Sequence, residues 1–228
     1  MNELQSAPAL DLVASGRYAL FFRGQECGSE RWEIARVADG YSITGEQELL
    51  APHPLPNRQQ YRAMLSPEWR PTGLDMIWTV GERALTAMHR AADNMWRVRI
   101  DYEGQTHEQE GDFPEYCEIE FTTHLANTVI LARRDFQVGG EHDFPVLRIG
   151  PPLMAVTPER MVYRCIERGT VEVALGRREA RCYVAFLPSE GEQSGYTFWA
   201  DEDGFVLESY EGHDRTRPWM KLIEFHKA

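Results

Sequence analysis

From residue 96 to residue 102, apolar and charged side chains alternate without a break. Trp96, Val98, Ile100 and Tyr102 fall on one side, and Arg97, Arg99 and Asp101 on the other. An extended chain sends successive side chains to opposite faces, so this run makes a strand with one greasy and one wet face. The pattern returns at Trp32/Ile34, at Cys117/Ile119/Phe121 between Glu118 and Glu120, and at Val171/Val173/Leu175. Residues 180–187 are apolar on both faces, as in a central strand, and residues 219–225 close the series. Between the runs stand Asp39-Gly40, Glu103-Gly104 and Asp203-Gly204, with Val80-Gly81 and Arg168-Gly169 as weaker examples. Such pairs suit hairpin turns that need positive φ. Strands this short and dense argue for an antiparallel sheet rather than βαβ units.

Proline marks the remaining breaks. Three of the six residues 51–56 lack the N–H that a sheet ladder requires, and Gly150-Pro151-Pro152 interrupts the chain near a boundary between halves. One helix is expected near 122–134. Leu125, Val129, Ala132 and Phe136 form a helical stripe, Thr122 or Thr123 is placed to cap it, and Gly139-Gly140 lies beyond its end. The chain reads as a single domain, 1–228. Two echoes raise pseudo-repeated halves, about 15–121 and 150–228, joined by the helical segment. Tyr18 precedes Gly24 by the same interval as Tyr163 precedes Gly169, and Tyr102-Glu103-Gly104 matches Tyr210-Glu211-Gly212.

Composition narrows the classes of function. A chain of 228 residues can bury roughly 70% of the surface its unfolded form exposes, so it needs no metal or disulfide staple. A formal charge of −12 disfavours nonspecific attraction to nucleic acid or an anionic membrane, and no stretch of about 18 apolar residues offers a membrane span. The first residues lack the charged and apolar regions of an export signal, and Cys27, Cys117, Cys165 and Cys182 form no CxxC pair. The expectation is a cytoplasmic protein with reduced, packed thiols.

Motifs for chemistry are scarce. Asp143 follows His142 directly, so on an extended chain it points away from the imidazole it would have to orient. A cysteine paired with His124 is conceivable, although buried structural cysteine is far commoner. Asp201-Glu202-Asp203-Gly204 opens like a calcium loop, but Phe205 stands where a ligand oxygen is needed and the run reads as a hairpin. His53, His89, His107, His124, His142, His213 and His226 show no HxH, HxxxH or HExxH spacing. No glycine-rich phosphate loop or nucleophile elbow is present, so no metal, cofactor or catalytic residue is assigned. The acidic residues from Glu108 to Glu120 read as a solvated loop and strand face.

The most distinctive string is Leu65-Ser66-Pro67-Glu68-Trp69-Arg70-Pro71-Thr72-Gly73-Leu74. On residue type alone it is a turn with a packed Trp, or an apolar surface beside a cation that suits an amphiphile. The string, followed by a strand with Trp78, resembles a group of bacterial β-roll proteins described as glycolipid-binding, and related lipoprotein-carrier-like families. A second likeness is the downstream order: the helical segment, Arg164 to Gly169, Gly176 to Ala180, then Phe198 to Leu207. The resemblance implies a curved antiparallel sheet rolled into an open barrel or spiral β-roll around a helix or an apolar cavity. It supplies no catalytic residues, and the chain departs from the carriers in lacking an export signal. The leading expectation is a non-enzymatic binder of a hydrophobic or amphipathic molecule, lipid or glycolipid-like. Its lining candidates are Trp69, Arg70, Trp78, Trp96, His124 and Trp199. The alternatives are an enzyme with an acid/base site at His124, His142 or a carboxylate inside the roll, and a protein–protein interaction module. Oligomeric state is left open.

Overall fold

The protein, a computed structural model, is described over residues 11–228; part of the stretch read for an export signal lies outside them. Eight strands come first: β1 (Asp11–Phe22), β2 (Gln25–Val37), β3 (Gly40–Leu49), β4 (Asn57–Leu65), β5 (Pro71–Val80), β6 (Arg83–Ala92), β7 (Met95–Tyr102) and β8 (Gln105–Asp112). A short β9 (Glu118–Glu120) leads into the helix α1 (Leu125–Ala132). Six more strands follow: β10 (Glu141–Gly150), β11 (Ala155–Val173), β12 (Gly176–Phe186), β13 (Tyr196–Ala200), β14 (Val206–Glu211) and β15 (Pro218–Lys227).

All fifteen strands belong to one sheet, ordered β8 down to β1 and then β15 down to β9. Sequence neighbours are therefore space neighbours in each half, and the first and last strands meet where β1 pairs with β15. Among the described strands, β9 beside β10 is the parallel pair. The sheet curls without closing, so β8 and β9 are its two free edges. Trp96 and His89 share a small void with Ile119, Leu147 and Val156, which places the inner face of β6–β7 against β9–β11.

Alternation sets which face turns inward. In β2, Glu30, Trp32 and Ile34 are buried while Arg31, Glu33 and Arg36 are not. In β7, Trp96, Val98 and Ile100 are buried and Arg97 and Arg99 exposed. One inner row runs Gly16, Trp32, Gly45, Tyr61 across four strands. A Cβ on Gly16 would sit 2.6 Å from the Trp32 ring, and one on Gly45 2.3 Å from the Tyr61 ring. Each glycine thus makes room for a large ring to lie flat over its strand.

Three expectations are corrected. Arg168-Gly169 is no turn: Gly169 lies inside β11, where a Cβ would approach the Trp199 ring to 2.9 Å. Its sequence echo, Gly24, does turn the chain, at φ 78°. The helix begins at Leu125 and ends at Ala132, so Phe136 is buried beyond its end. Thr123 still serves the helix start, its Oγ1 accepting from the Leu125 N–H at 3.3 Å. Finally, the acidic run is solvated only in part. Glu108, Glu110 and Asp112 are exposed, but Glu118 is 1% exposed. Arg133 and Arg134, just past α1, both bond its carboxylate, the latter at 2.9 Å.

Candidate ligand cavity

A cavity of about 320 Å³ lies between α1 and the inner face of the sheet. Leu20 and Phe21 of β1, Leu49 of β3, Trp78 of β5 and Trp219 of β15 give it greasy walls. His53 and Leu55 come from the proline-rich loop, which cannot join a ladder and is therefore free to border the cavity. Residues 120–124, with Ala126 and Asn127, supply the remaining side. A second hollow of about 380 Å³ shares Phe21, His53, Glu120, Tyr196 and Trp219 with the first.

The polar groups are few and tied down. Gln47 Nε2 donates to the Thr122 carbonyl at 3.2 Å, and Thr122 Oγ1 donates to Gln59 Oε1. Gln59 Nε2, though buried, has no partner. Asn127 Oδ1 accepts from both Tyr163 Oη and Tyr196 Oη, the second at 2.8 Å. Burial holds both phenols well above the usual tyrosine range, so they stay neutral donors. His124 stands edge-on to Trp219, ring centres 5.1 Å apart, with Ser209 Oγ 3.5 Å from its Nε2. Burial pushes its imidazole down to about 4, so it is uncharged at neutral pH. Glu120 is pushed up by burial and pulled back by Arg148, whose Nε lies 3.2 Å from Oε2.

Behind this wall sits a sealed carboxyl. Glu30 accepts from Tyr61 Oη at 2.5 Å and from Thr123 Oγ1, and burial pushes it up to about 7. Its Oε2, Tyr18 Oη and Trp32 Nε1 are all buried without partners.

Of the six residues expected to line a site, Trp78 and His124 meet in this cavity. Trp69, at φ 63° in the β4–β5 turn, packs on Tyr41 with ring centres 4.8 Å apart. Arg70 lies over the Phe113 ring at 5.2 Å and donates to its carbonyl. Trp96 fills the space left by Gly111, and Trp199 that left by Gly169, beneath Arg215. These four stand outside the cavity. Gln47, Gln59, Glu120, Asn127 and Trp219 were not singled out from sequence. Gln59 and Glu30 carried one usable signal, since each falls on the apolar phase of its strand, with Tyr61 and Ala63 or with Trp32 and Ile34.

The other chemistry-bearing groups are engaged elsewhere. His142 contacts the Asp135 carbonyl at 3.2 Å, while Asp143 pairs with Arg160. Burial pushes the Cys117 and Cys182 thiols up to about 12, the opposite of nucleophilic activation. Among the described residues no group of three or more His, Cys, Asp or Glu could hold a metal ion.

No family model matches the chain, and no curated protein matches it. Solved structures do. A DUF1089-family protein from Pseudomonas aeruginosa is 16% identical with a TM-score of 0.55, over 90% of this chain and 95% of its own. A β-barrel-like DUF1849 protein from Brucella abortus is 10% identical with a TM-score of 0.61, over 97% of this chain and 100% of its own. At these identities the likeness is one of fold. It supports a rolled β architecture of unknown function, and it does not confirm the lipoprotein-carrier-like type. This chain is thus an open, mostly antiparallel β-roll, similar to domains whose function is likewise unknown.

Proposed function

We propose that the protein is a non-enzymatic binder of a small hydrophobic or amphipathic molecule, held between α1 and the sheet. The observation that carries this reading is the cavity itself: about 320 Å³, walled by Leu20, Phe21, Leu49, Trp78 and Trp219, with few convergent polar groups. Small-molecule sites combine those features, mostly apolar lining with a small number of placed polar atoms. The acid/base reading calls for a histidine and a carboxylate in hydrogen-bond reach. Among the described residues, His124 has Ser209 as its hydrogen-bond neighbour, and burial alone accounts for its lowered basicity. Titration with the uncharged dye Nile red tests the binder reading. Saturable fluorescence enhancement in the wild type, weakened in Trp78→Ala, is the expected result. A flat titration, together with no co-purified small molecule in native mass spectra, would refute it.

A further inference from the structure

Resting on that reading, we propose that the cavity selects an uncharged amphiphile whose head carries a hydrogen-bond acceptor, such as an alcohol, ester or amide, over a fatty carboxylate.

The argument begins with Gln59, 1% exposed, whose Oε1 is occupied by Thr122 while Nε2 has no partner. A buried donor left open is costly, and a ligand acceptor placed there would relieve it. Charge then limits what the acceptor can be. The ionisable side chains lining the cavity are Glu120, His53, His124 and Tyr196, whose phenol burial keeps neutral and which already donates to Asn127 Oδ1 at 2.8 Å. Glu120 is itself an acid. His124 is buried and has Ser209 as its polar neighbour, and His53 Nδ1 is engaged within its own loop, 2.9 Å from the Leu55 carbonyl and 3.2 Å from the Leu55 N–H. The Arg148 guanidinium borders the adjoining hollow and already faces two carboxylates, Glu120 at 3.2 Å and Glu190 at 3.3 Å. A ligand carboxylate would lose its hydration beside an acid, with no free cation to receive it. A neutral acceptor meets neither penalty. The greasy walls take the tail: at roughly 30 Å³ per water-sized group, the space holds about ten such groups, a medium-length chain.

The test is displacement of Nile red at pH 8 by 1-decanol, decanamide and sodium decanoate, in the wild type, Gln59→Leu and Glu120→Gln. An uncharged chain enters any apolar pocket more readily than its carboxylate, so the variants carry the decision. In Gln59→Leu, decanamide should weaken about tenfold, and its lead over decanoate should shrink accordingly. In Glu120→Gln, decanoate should gain several-fold on decanamide. Decanoate displacing as well as decanamide from the wild type, or unchanged selectivity in both variants, would overturn the inference and leave the binder reading standing. Failure of all three ligands, and of Nile red, would instead remove the binder reading itself.

Discussion

Two of the molecule's depressions are opposite in character, and the larger is the less informative. About 610 Å³ of open groove crosses the outer face of β1–β4, walled by Arg17, Arg31, Glu33, Glu46, Arg62 and Glu224. Its charges answer one another: Arg17 meets Glu224 at 2.5 Å, and Glu46 meets Arg58 at 3.2 Å. The inner cavity has about half that volume, yet it holds a buried, unpartnered amide and a buried, neutral imidazole, neither of which solvent serves. What marks a site here is unmet chemistry rather than room.

Four experiments press on that contrast, beginning with the largest effect. Glu118→Ala strands Arg133 and Arg134 without their shared carboxylate. Losing one partner of a buried pair costs about 3–5 kcal/mol, read as a lower urea midpoint, and because those arginines follow α1 directly the cavity should lose Nile red as well. A small shift with binding intact would show that the inner wall does not depend on this anchor.

Glu30 comes next. Its carboxyl is raised from 4.5 to about 7 in the fold, so the native state holds a proton that the unfolded chain has released. That stability is fully present below pH 4.5 and is lost as pH rises through 7, a fall of about 3 kcal/mol. Glu30→Gln should flatten the profile and outlast the wild type at pH 8. Parallel denaturation curves for the two proteins at pH 5 and pH 8 would contradict a sealed, protonated carboxyl.

A third comparison sets one tryptophan against another. Trp78→Ala should weaken Nile red about tenfold, some 1.4 kcal/mol, because it removes a wall of the cavity. Trp69→Ala should leave dye binding unchanged, because that ring packs on Tyr41 outside it. Equal losses would mean that the dye reads general stability rather than the cavity. The smallest expected effect belongs to the outer groove: Arg17→Ala should shift neither the urea midpoint nor dye binding measurably, since its ion pair faces solvent.

How far the chain could be read in advance follows the same inner/outer division. Strands β2, β7, β12 and β15 announce themselves because one face, or both, must be greasy. The turns at Asp39-Gly40 and Glu103-Gly104 are legible because positive φ selects glycine. Gly169 misled for the complementary reason: it yields space to Trp199, and a single sequence does not distinguish a glycine needed for its backbone from one needed for its missing side chain. Glu118 and Glu120 misled because alternation presumes that one face is wet. Here Arg133 and Arg134 cover the face that carries Glu118, so even the charged phase is buried. The cavity's own polar residues, Gln47, Gln59 and Asn127, come from β3, β4 and α1. Their meeting depends on how the sheet curls, which no local pattern states.

That curl stops short of a ring. Between β8 and β9 no ladder is formed, and contacts of neighbouring strands join the two flanks instead: His89 of β6 reaches the Met154 carbonyl at 3.3 Å, and Gln109 of β8 accepts from the Val156 N–H of β11 at 3.3 Å. The edge on one side, β8, is exposed and bears Glu108, Glu110 and Asp112, which discourage another chain from adding to it. A hoop must break main-chain bonds to widen, whereas a split collar needs only to flex. Met154 joins the two flanks through its carbonyl and also lines the cavity, so the cavity and the split in the collar share a residue while every strand keeps its neighbours.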